Sequence, residues 1–482
     1  MTNPVLEQYA TGKLLVDGTL GHLTADQTHK LQQLWHKLFA AFEGDTSSLA
    51  SAPLPDEAAP KDPAKKRLAA EQEHSTRSSS APPTSRAGRL QRRGGTPSTP
   101  PSTPAASSWF GWGSKSGANG GSSEPLEYRQ LVGDAAPAES LPPPFEQASH
   151  GAQTIGAAFW SAVLCDHPDV LLLRFLRARK WVVDDALAML LACLKWRIDE
   201  QVDWAVWSGE AELNLALMRR GMGVVHKTDR IGQPVIHIPV RLNDPKAQPS
   251  EQMLDYTVYL MEVARAVLHP PVEKVCLLFD TTDMSLANMD WNFFRTFLHY
   301  LEHYYPECLG LVLIYNASWI FNGLWKLIRP LLDPVVASKV HFVTSKTELL
   351  DFIAPEHLPR EFGGKDTFTY HYDLPVAHEN AAMYDAEARQ AAISARQAAC
   401  ARFEAATRKW LEQGPSAANA SADANSTADA STSDDDVSTQ RADSAQALVA
   451  ASKALDKYVR ARTLYHRSGI IGEDLRPNWN KQ

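Results

Sequence analysis

His299 and His303 stand four residues apart in a stretch of helical period, a spacing that puts two imidazoles on one face where they can hold a metal ion. Asp280, Asp283 and Asp290 lie just upstream and would add carboxylates. The glutamate of an HExxH zinc site is missing, however. Asp280 reads as the polar end of a strand and Asp290 as the N-cap of MDWNFF, so packing or surface histidines are the expected outcome. GMGVVH (Gly221 to His226) approaches the dinucleotide fingerprint GxGxxG, but His226 replaces the third glycine, and the segment precedes a strand rather than joining strand to helix. There is no GxSxG elbow, P-loop or kinase signature set. No catalysis, metal or cofactor is expected, and the chain reads as a non-enzyme.

A different kind of chemistry is suggested by WIFNGLWKLIRPLL (residues 319 to 332), a helix-length segment apolar around most of its circumference. Its polar residues Asn322, Lys326 and Arg329 fall on one stripe at i, i+4, i+7 spacing. A helix this apolar is buried or faces lipid. It is shorter than the roughly 20 residues a bilayer span needs. Its apolar surface therefore needs a partner, and a lipid is the expected one.

The surrounding pattern says what must hold that segment. Residues 156 to 200 are helical in period, with Pro168 suited to a first turn and Asp184 to an N-cap. After Gly221 the period shortens: GVVHKTDRIGQPVIHIPV reads as two strands joined by a turn at Asp229 to Gln233. Then come a helix (252 to 268), the strand VCLLFD (275 to 280), a helix (290 to 304), the strand GLVLIYNA (310 to 317), the apolar helix and the strand VHFV (340 to 343). Strands alternating with helices imply βαβ crossovers and a mainly parallel α/β sheet. Continuous apolar strands imply cover on both faces. Ahead of this block, Leu31, Leu34, Trp35, Leu38 and Phe39 have helical period behind a Thr24/Gln27 capping box, which predicts an amphipathic helix docked on the main domain, the alternative being a helix that binds a membrane or a partner.

Composition bounds the rest. Residues 44 to 150 are rich in Ser, Pro, Ala, Gly and Thr, and 414 to 445 in Ser, Ala, Thr and Asp, ending near the acidic run at Asp434 to Asp436. Neither is expected to bury enough apolar surface to order itself. The first carries Lys65, Lys66, Arg67, Arg86, Arg89, Arg92 and Arg93, and three Thr-Pro sites within 96 to 104 that read as a polyproline-like spacer. Trp109, Phe110 and Trp112 follow, either an interfacial anchor or a segment that packs back on the core. A net charge of −8 argues against a nucleic-acid binder. Five scattered cysteines without a CxxC pair suit reduced thiols. With no signal-peptide pattern and no transmembrane-length apolar run, a soluble, cytoplasmic protein is expected.

Several stretches together resemble the CRAL-TRIO lipid-binding domain of the yeast Sec-fourteen type, the phosphatidylinositol transfer proteins. They are PDVLLLRFLRARKW (168 to 181), KWR (195 to 197), DRIGQPV (229 to 235), HYYPECLG (303 to 310), LIYNA (313 to 317), LLDPVVASKVHF (331 to 342) and LPREFGG (358 to 364). LFDTTDMSLANMDW (278 to 291), LQQLWHKLF near the N-terminus and YHRSGI near the C-terminus extend the resemblance to the fungal Csr-type subgroup. The resemblance implies a helical N-terminal lobe and an α/β lobe whose sheet floors a lipid pocket closed by a gate helix. The layout is then 1–43 amphipathic helical segment, 44–150 linker, 151–215 helical lobe, 216–368 lipid-binding domain, 369–413 C-terminal helix, 414–445 acidic segment and 446–482 helical tail.

By the same resemblance, Arg179, Lys180, Glu307 and Lys339 would bind a phosphoinositide headgroup: the cations take phosphate and the carboxylate accepts hydrogen bonds from inositol hydroxyls. Trp319, Phe321, Leu324, Trp325 and Ile328 would belong to the gate, and Gly364 to its hinge, against the plainer role of a turn needing positive φ. Val275 and Leu277 stand where some relatives carry hydroxyls for phosphatidylcholine, which makes that lipid doubtful. Val336 replaces a threonine on the inositol side. The expected function is binding and transfer of phospholipid, phosphatidylinositol before others, with transient contact at endoplasmic reticulum, microsomal or endosomal membranes. The alternatives are a lipid-sensing regulator that presents phosphatidylinositol to a lipid kinase, and a carrier of a sterol, squalene-like molecule or haem.

Overall fold

In this computed structural model the described residues are 4–44, 154–317, 319–413 and 431–480. The basic linker residues, the Thr-Pro sites and Trp109 to Trp112 lie outside them. The chain opens with α1 (Pro4–Thr11) and α2 (Ala25–Glu43), then α3 (Ile155–Val163), α4 (Pro168–Ala178), α5 (Val183–Asp199), α6 (Val202–Ser208) and α7 (Leu215–Arg220). The sheet region follows in the order β1 (Val224–Thr228), β2 (Pro234–Pro239), α8 (Ser250–Ala266), β3 (Val275–Asp280), α9 (Trp291–His303), β4 (Leu309–Tyr315), α10 (Trp319–Ile328), α11 (Pro334–Ser338), β5 (Val340–Val343) and α12 (Lys346–Phe352). Then come α13 (Ala386–Glu412), α14 (Ser431–Val459) and α15 (Leu464–Arg467).

The five strands lie in chain order, β1 antiparallel to β2 and the rest parallel. Because βαβ crossovers are right-handed, a parallel sheet that always grows in one direction puts its crossover helices on one face. Accordingly α8, α9 and α10 pack over the face formed by Ile236, Leu277, Val312 and Ile314. The alternate residues Val235, Cys276, Leu278, Leu311 and Leu313 point to the other face, covered by Tyr9 of α1, Leu349 of α12, and Leu358 and Phe362 beyond it. The two-residue period thus divides the sheet into a crossover face and a back face.

The N-terminal lobe has its own core, with Trp35, Phe159, Leu172, Phe175 and Phe403 almost fully buried. Trp35 lies edge-on to Phe159 at 5.6 Å. The lobe meets the sheet domain where Trp196 stacks on Tyr304 at 4.2 Å and Arg197 pairs with Glu262 at 2.9 Å. Glu262 also accepts from the Tyr305 hydroxyl at 2.8 Å.

The capping box at Thr24/Gln27, the Asp290 N-cap and the turn held by Asp229 are all present. Three details differ from the sequence reading. Asp184 is inside the first turn of α5 and pairs with Lys37 at 2.7 Å; the N-cap is Val182, which makes no side-chain cap. The helix expected from 369 begins only at Ala386, capped by Asp385. Residues 431 to 445, expected to be irregular, form the first half of α14. The stretch itself is rich in Ser, Thr and Asp, which are weak helix formers, but it runs into the alanine-rich residues 446 to 459, and docking decides the matter: Ala445 and Leu448 are buried in the lobe core.

Candidate functional site

Three charged residues stand just ahead of three neighbouring parallel strands: Lys274 one residue before β3, Glu307 two residues before β4 and Lys339 one residue before β5. Parallel register brings these amino ends side by side; Val275 N–H donates to the Cys308 carbonyl and Val312 N–H to that of Lys339, both at 2.9 Å. Glu307 has φ +57°, a left-handed turn that ends the YYPE segment. Its carboxylate pairs with Lys274 at 3.3 Å. Burial would raise the Glu307 pKa, but Lys339, Lys274 and Arg177 together hold it below the usual value. Lys339 is only 7 % exposed. Burial lowers its pKa, and the attraction of Glu307 opposes that while Lys274 and Arg177 add to it. Arg177 itself is tied to Glu273 at 2.6 Å and to the Gly18 carbonyl at 2.8 Å.

Of the four headgroup residues expected from sequence, Glu307 and Lys339 are thus brought together. Arg179 caps the C-terminus of α4 and is half-buried, and Lys180 follows it, exposed, with φ +50°. Neither side chain forms an ion pair among the described residues, and neither is among the leading influences on Glu307 or Lys339. Sequence reasoning missed Lys274 and Arg177. The signals were there: a lysine directly ahead of VCLLFD, and another arginine within the RARK stretch. Three cations and two carboxylates, with Arg179 and Lys180 uncommitted close in sequence to Arg177, leave a positive excess suited to a phosphate.

Beside this charge cluster runs the apolar crossover face. Phe321, Leu324 and Ile328 of α10 are buried against it, and Trp325 is half-buried, edge-on to Phe342 at 5.4 Å. Lys326 and Arg329 face outward, as the stripe predicts. The Trp319 and Asn322 side chains lie outside the described residues. Leu327, beside Lys326, is 63 % exposed, and Val335 and Phe342 are exposed as well, which the stripe did not foretell. On α9, Trp291, Phe293, Phe294, Phe297 and Leu298 remain half-buried against the same cluster, an unusual amount of aromatic surface left partly uncovered. Val275 and Leu277 are buried on this face and offer it no hydroxyl. Val336 packs at its edge.

The metal reading is not supported by geometry. His299 and His303 stack at 4.3 Å, His303 Nδ1 bonds the His299 carbonyl, and Asp280 is paired with Arg241 at 2.9 Å. Among the described residues no group of three potential ligands gathers.

Gly364 is not the left-handed residue of its turn; Gly363 is, with φ +88°. Gly364 is required for another reason, because a Cβ there would lie 1.8 Å from the Leu358 carbonyl oxygen. Gly364→Ala should therefore destabilise the fold by about 1–3 kcal/mol, the usual cost of overpacking. A denaturant midpoint equal to that of the parent would show that this segment yields freely. The same segment is stapled to β1 by Asp366, which contacts His226 at 2.6 Å and Lys227 at 2.9 Å.

Burial pushes three imidazoles down, His226 to about 4, His237 to about 3 and His466 to about 2. Each binds its proton more readily unfolded, so its stabilising contribution is complete above about pH 6.5 and declines as pH falls below that. Asp229, raised by burial to about 6, works the other way but is one group against three. Denaturant titrations should give a lower unfolding free energy at about pH 4.5 than at about pH 7.5; equal values would contradict the burial of these rings.

Two sequence profiles match the chain: the CRAL/TRIO domain over residues 218–364 and the CRAL/TRIO N-terminal domain over 134–192. A CRAL-TRIO domain-containing protein of Schizosaccharomyces pombe is 35% identical over 318 residues, 65% of this chain and 68% of that one. The phosphatidylinositol transfer protein CSR1 of Eremothecium gossypii is 32% identical over 329 residues, 66% of this chain and 71% of that one. Among solved structures, the crystal structure of Sfh5 aligns with a TM-score of 0.37 at 20% identity, over 42% of this chain and 73% of the other.

Proposed function

Since the chain belongs to the CRAL/TRIO domain family, we propose that it binds a phospholipid, phosphatidylinositol before others, and transfers it between membranes. The observation that carries this reading is the adjacency of a positively charged cluster, Lys274, Glu307 and Lys339, to an apolar face under α10. A diacyl lipid needs both. Each methylene taken out of water stabilises the complex by about 0.8 kcal/mol, so two acyl chains favour an apolar enclosure strongly. Lys339 and the uncommitted Arg179 and Lys180 supply cations for the phosphate, and Glu307 accepts hydrogen bonds from inositol hydroxyls.

In this reading α10 is the gate. Its buried Phe321, Leu324 and Ile328 cover lipid, and exposed Leu327 with Lys326 and Arg329 meets the membrane, an apolar residue flanked by cations as in interfacial helices. Val275 and Leu277 disfavour phosphatidylcholine, whose phosphate would lose donors there. The haem alternative finds little support: Tyr256, Tyr259 and Tyr465 on the crossover face already use their hydroxyls on Gly223, Glu210 and Val225. The expected result is that organic extracts of protein purified from lipid-replete cells contain phosphatidylinositol in excess over phosphatidylcholine by mass spectrometry. Extracts without phosphatidylinositol would end the proposal.

A further inference from the structure

A cavity of about 390 Å³ lies between the N-terminal lobe, the loop after α8 and the C-terminal helix α14. Its walls are mostly apolar, with Leu164, Val170, Leu268 and Val449 among them. That volume falls within the range of small-molecule sites. None of Lys274, Glu307 and Lys339 lines it, although Arg174 and Glu273 form a wall that backs on the headgroup cluster.

The charges around it do not balance. Asp166 is paired with Arg265 at 3.2 Å, Arg265 also with Glu262, Glu273 with Arg177 at 2.6 Å, and Arg460 with Asp456 at 2.7 Å. Arg174 is left over. It is 3 % exposed, yet among the described residues no carboxylate meets it. Among the described residues its guanidinium reaches only the Cys308 sulfur and the Glu273 backbone carbonyl, both at 3.5 Å, and its Nε has no partner. Lys453, at the α14 side of the cavity, donates among the described residues only to the Asp474 carbonyl at 3.3 Å. His269 adds a ring nitrogen, Nδ1, without a partner among the described residues, and burial lowers the pKa of that imidazole. A buried cation without a counter-charge is costly and is normally neutralised by an anion. Buried Arg174, with half-buried Lys453 on the opposite side of an apolar chamber, defines the complementary ligand.

We propose that this cavity binds a small amphipathic anion, with Arg174 and Lys453 on its carboxylate or phosphate and the apolar walls on its body. The site is separate from the phospholipid pocket, and α14 forms one wall of it.

The test uses the full chain and isothermal titration calorimetry with decanoate, decyl phosphate and the neutral control decanol. Either anion should bind with unit stoichiometry and at least about tenfold more tightly than decanol. Arg174→Gln should erase that preference. Val449→Trp fills the cavity from α14 and should remove binding of every probe while phosphatidylinositol loading stays as in the parent. Should Arg174→Gln not fold, Val449→Trp still decides the site. The proposal is overturned if neither anion binds better than decanol, if Val449→Trp leaves binding unchanged, or if decanoate displaces bound phosphatidylinositol, which would put it in the other pocket.

Discussion

Alanine at both Lys180 and Lys339 is expected to abolish phosphatidylinositol transfer between vesicles while the protein stays folded. A hydrogen bond to a charged partner contributes about 1.5–3 kcal/mol. Losing two of them on one phosphate costs about 3–6 kcal/mol, roughly 10²- to 10⁴-fold in affinity. The fold should survive because neither lysine holds it together. Lys180 is exposed and forms no ion pair among the described residues. Lys339 is buried, but after its removal Glu307 keeps Lys274 at 3.3 Å with Arg177 near by. Thermal melts of the double variant should overlay those of the parent. Transfer that persists in a folded double variant means the headgroup lies elsewhere.

The largest stability effect is expected at Arg441, far from that site. Arg441 on α14 binds Asp169 on α4 through two nitrogens, at 2.6 and 2.7 Å. Asp169 is 1 % exposed and also accepts from Trp35 Nε1 at 2.7 Å. Burial would raise its pKa, but Arg441 and His167 overcome this and bring it down to about 2. A depressed carboxylate stabilises the fold above its unfolded value of about 3.9 and loses that contribution as pH falls through the folded one. Arg441→Ala leaves a buried carboxylate without its cation and should cost about 3–5 kcal/mol. That is a large part of the roughly 5–15 kcal/mol that holds a domain together. Adding Asp169→Asn should recover part of the loss, because the stranded charge disappears. An Arg441→Ala protein as stable as the parent, with unchanged amide protection in α14, would show that the helix docks by other means.

Much of the fold was legible because its signals are local. Strand periodicity placed β3 at its observed bounds and β4 within two residues of them, and the Asp290 cap and Asp229 turn follow from side chains bonding backbone a few residues away. The failures share a cause. Residues 431 to 445 look too polar to order alone, yet they become helix because a distant lobe buries Ala445 and Leu448 and Arg441 finds Asp169. For Gly364 the plainer alternative to a hinge was a turn needing positive φ, but its neighbour takes that role and a carbonyl six residues back forbids its Cβ. Neither fact has a local signature.

What the sequence determined by itself is the parallel α/β order, the amphipathic docking helix, the apolar segment at 319 to 332 and the outward turn of Lys326 and Arg329. These rest on period, composition and nearest-neighbour bonding. What only tertiary structure decided is which charges meet. Lys274, Glu307 and Lys339 are separated by more than thirty residues at each step, and they converge because each precedes a strand of one parallel sheet. Arg174 lies in the same basic stretch as Arg177, Arg179 and Lys180, and nothing local marks it as the one buried without a carboxylate among the described residues. Convergence of this kind is set by register and long-range packing, which a one-dimensional pattern does not encode.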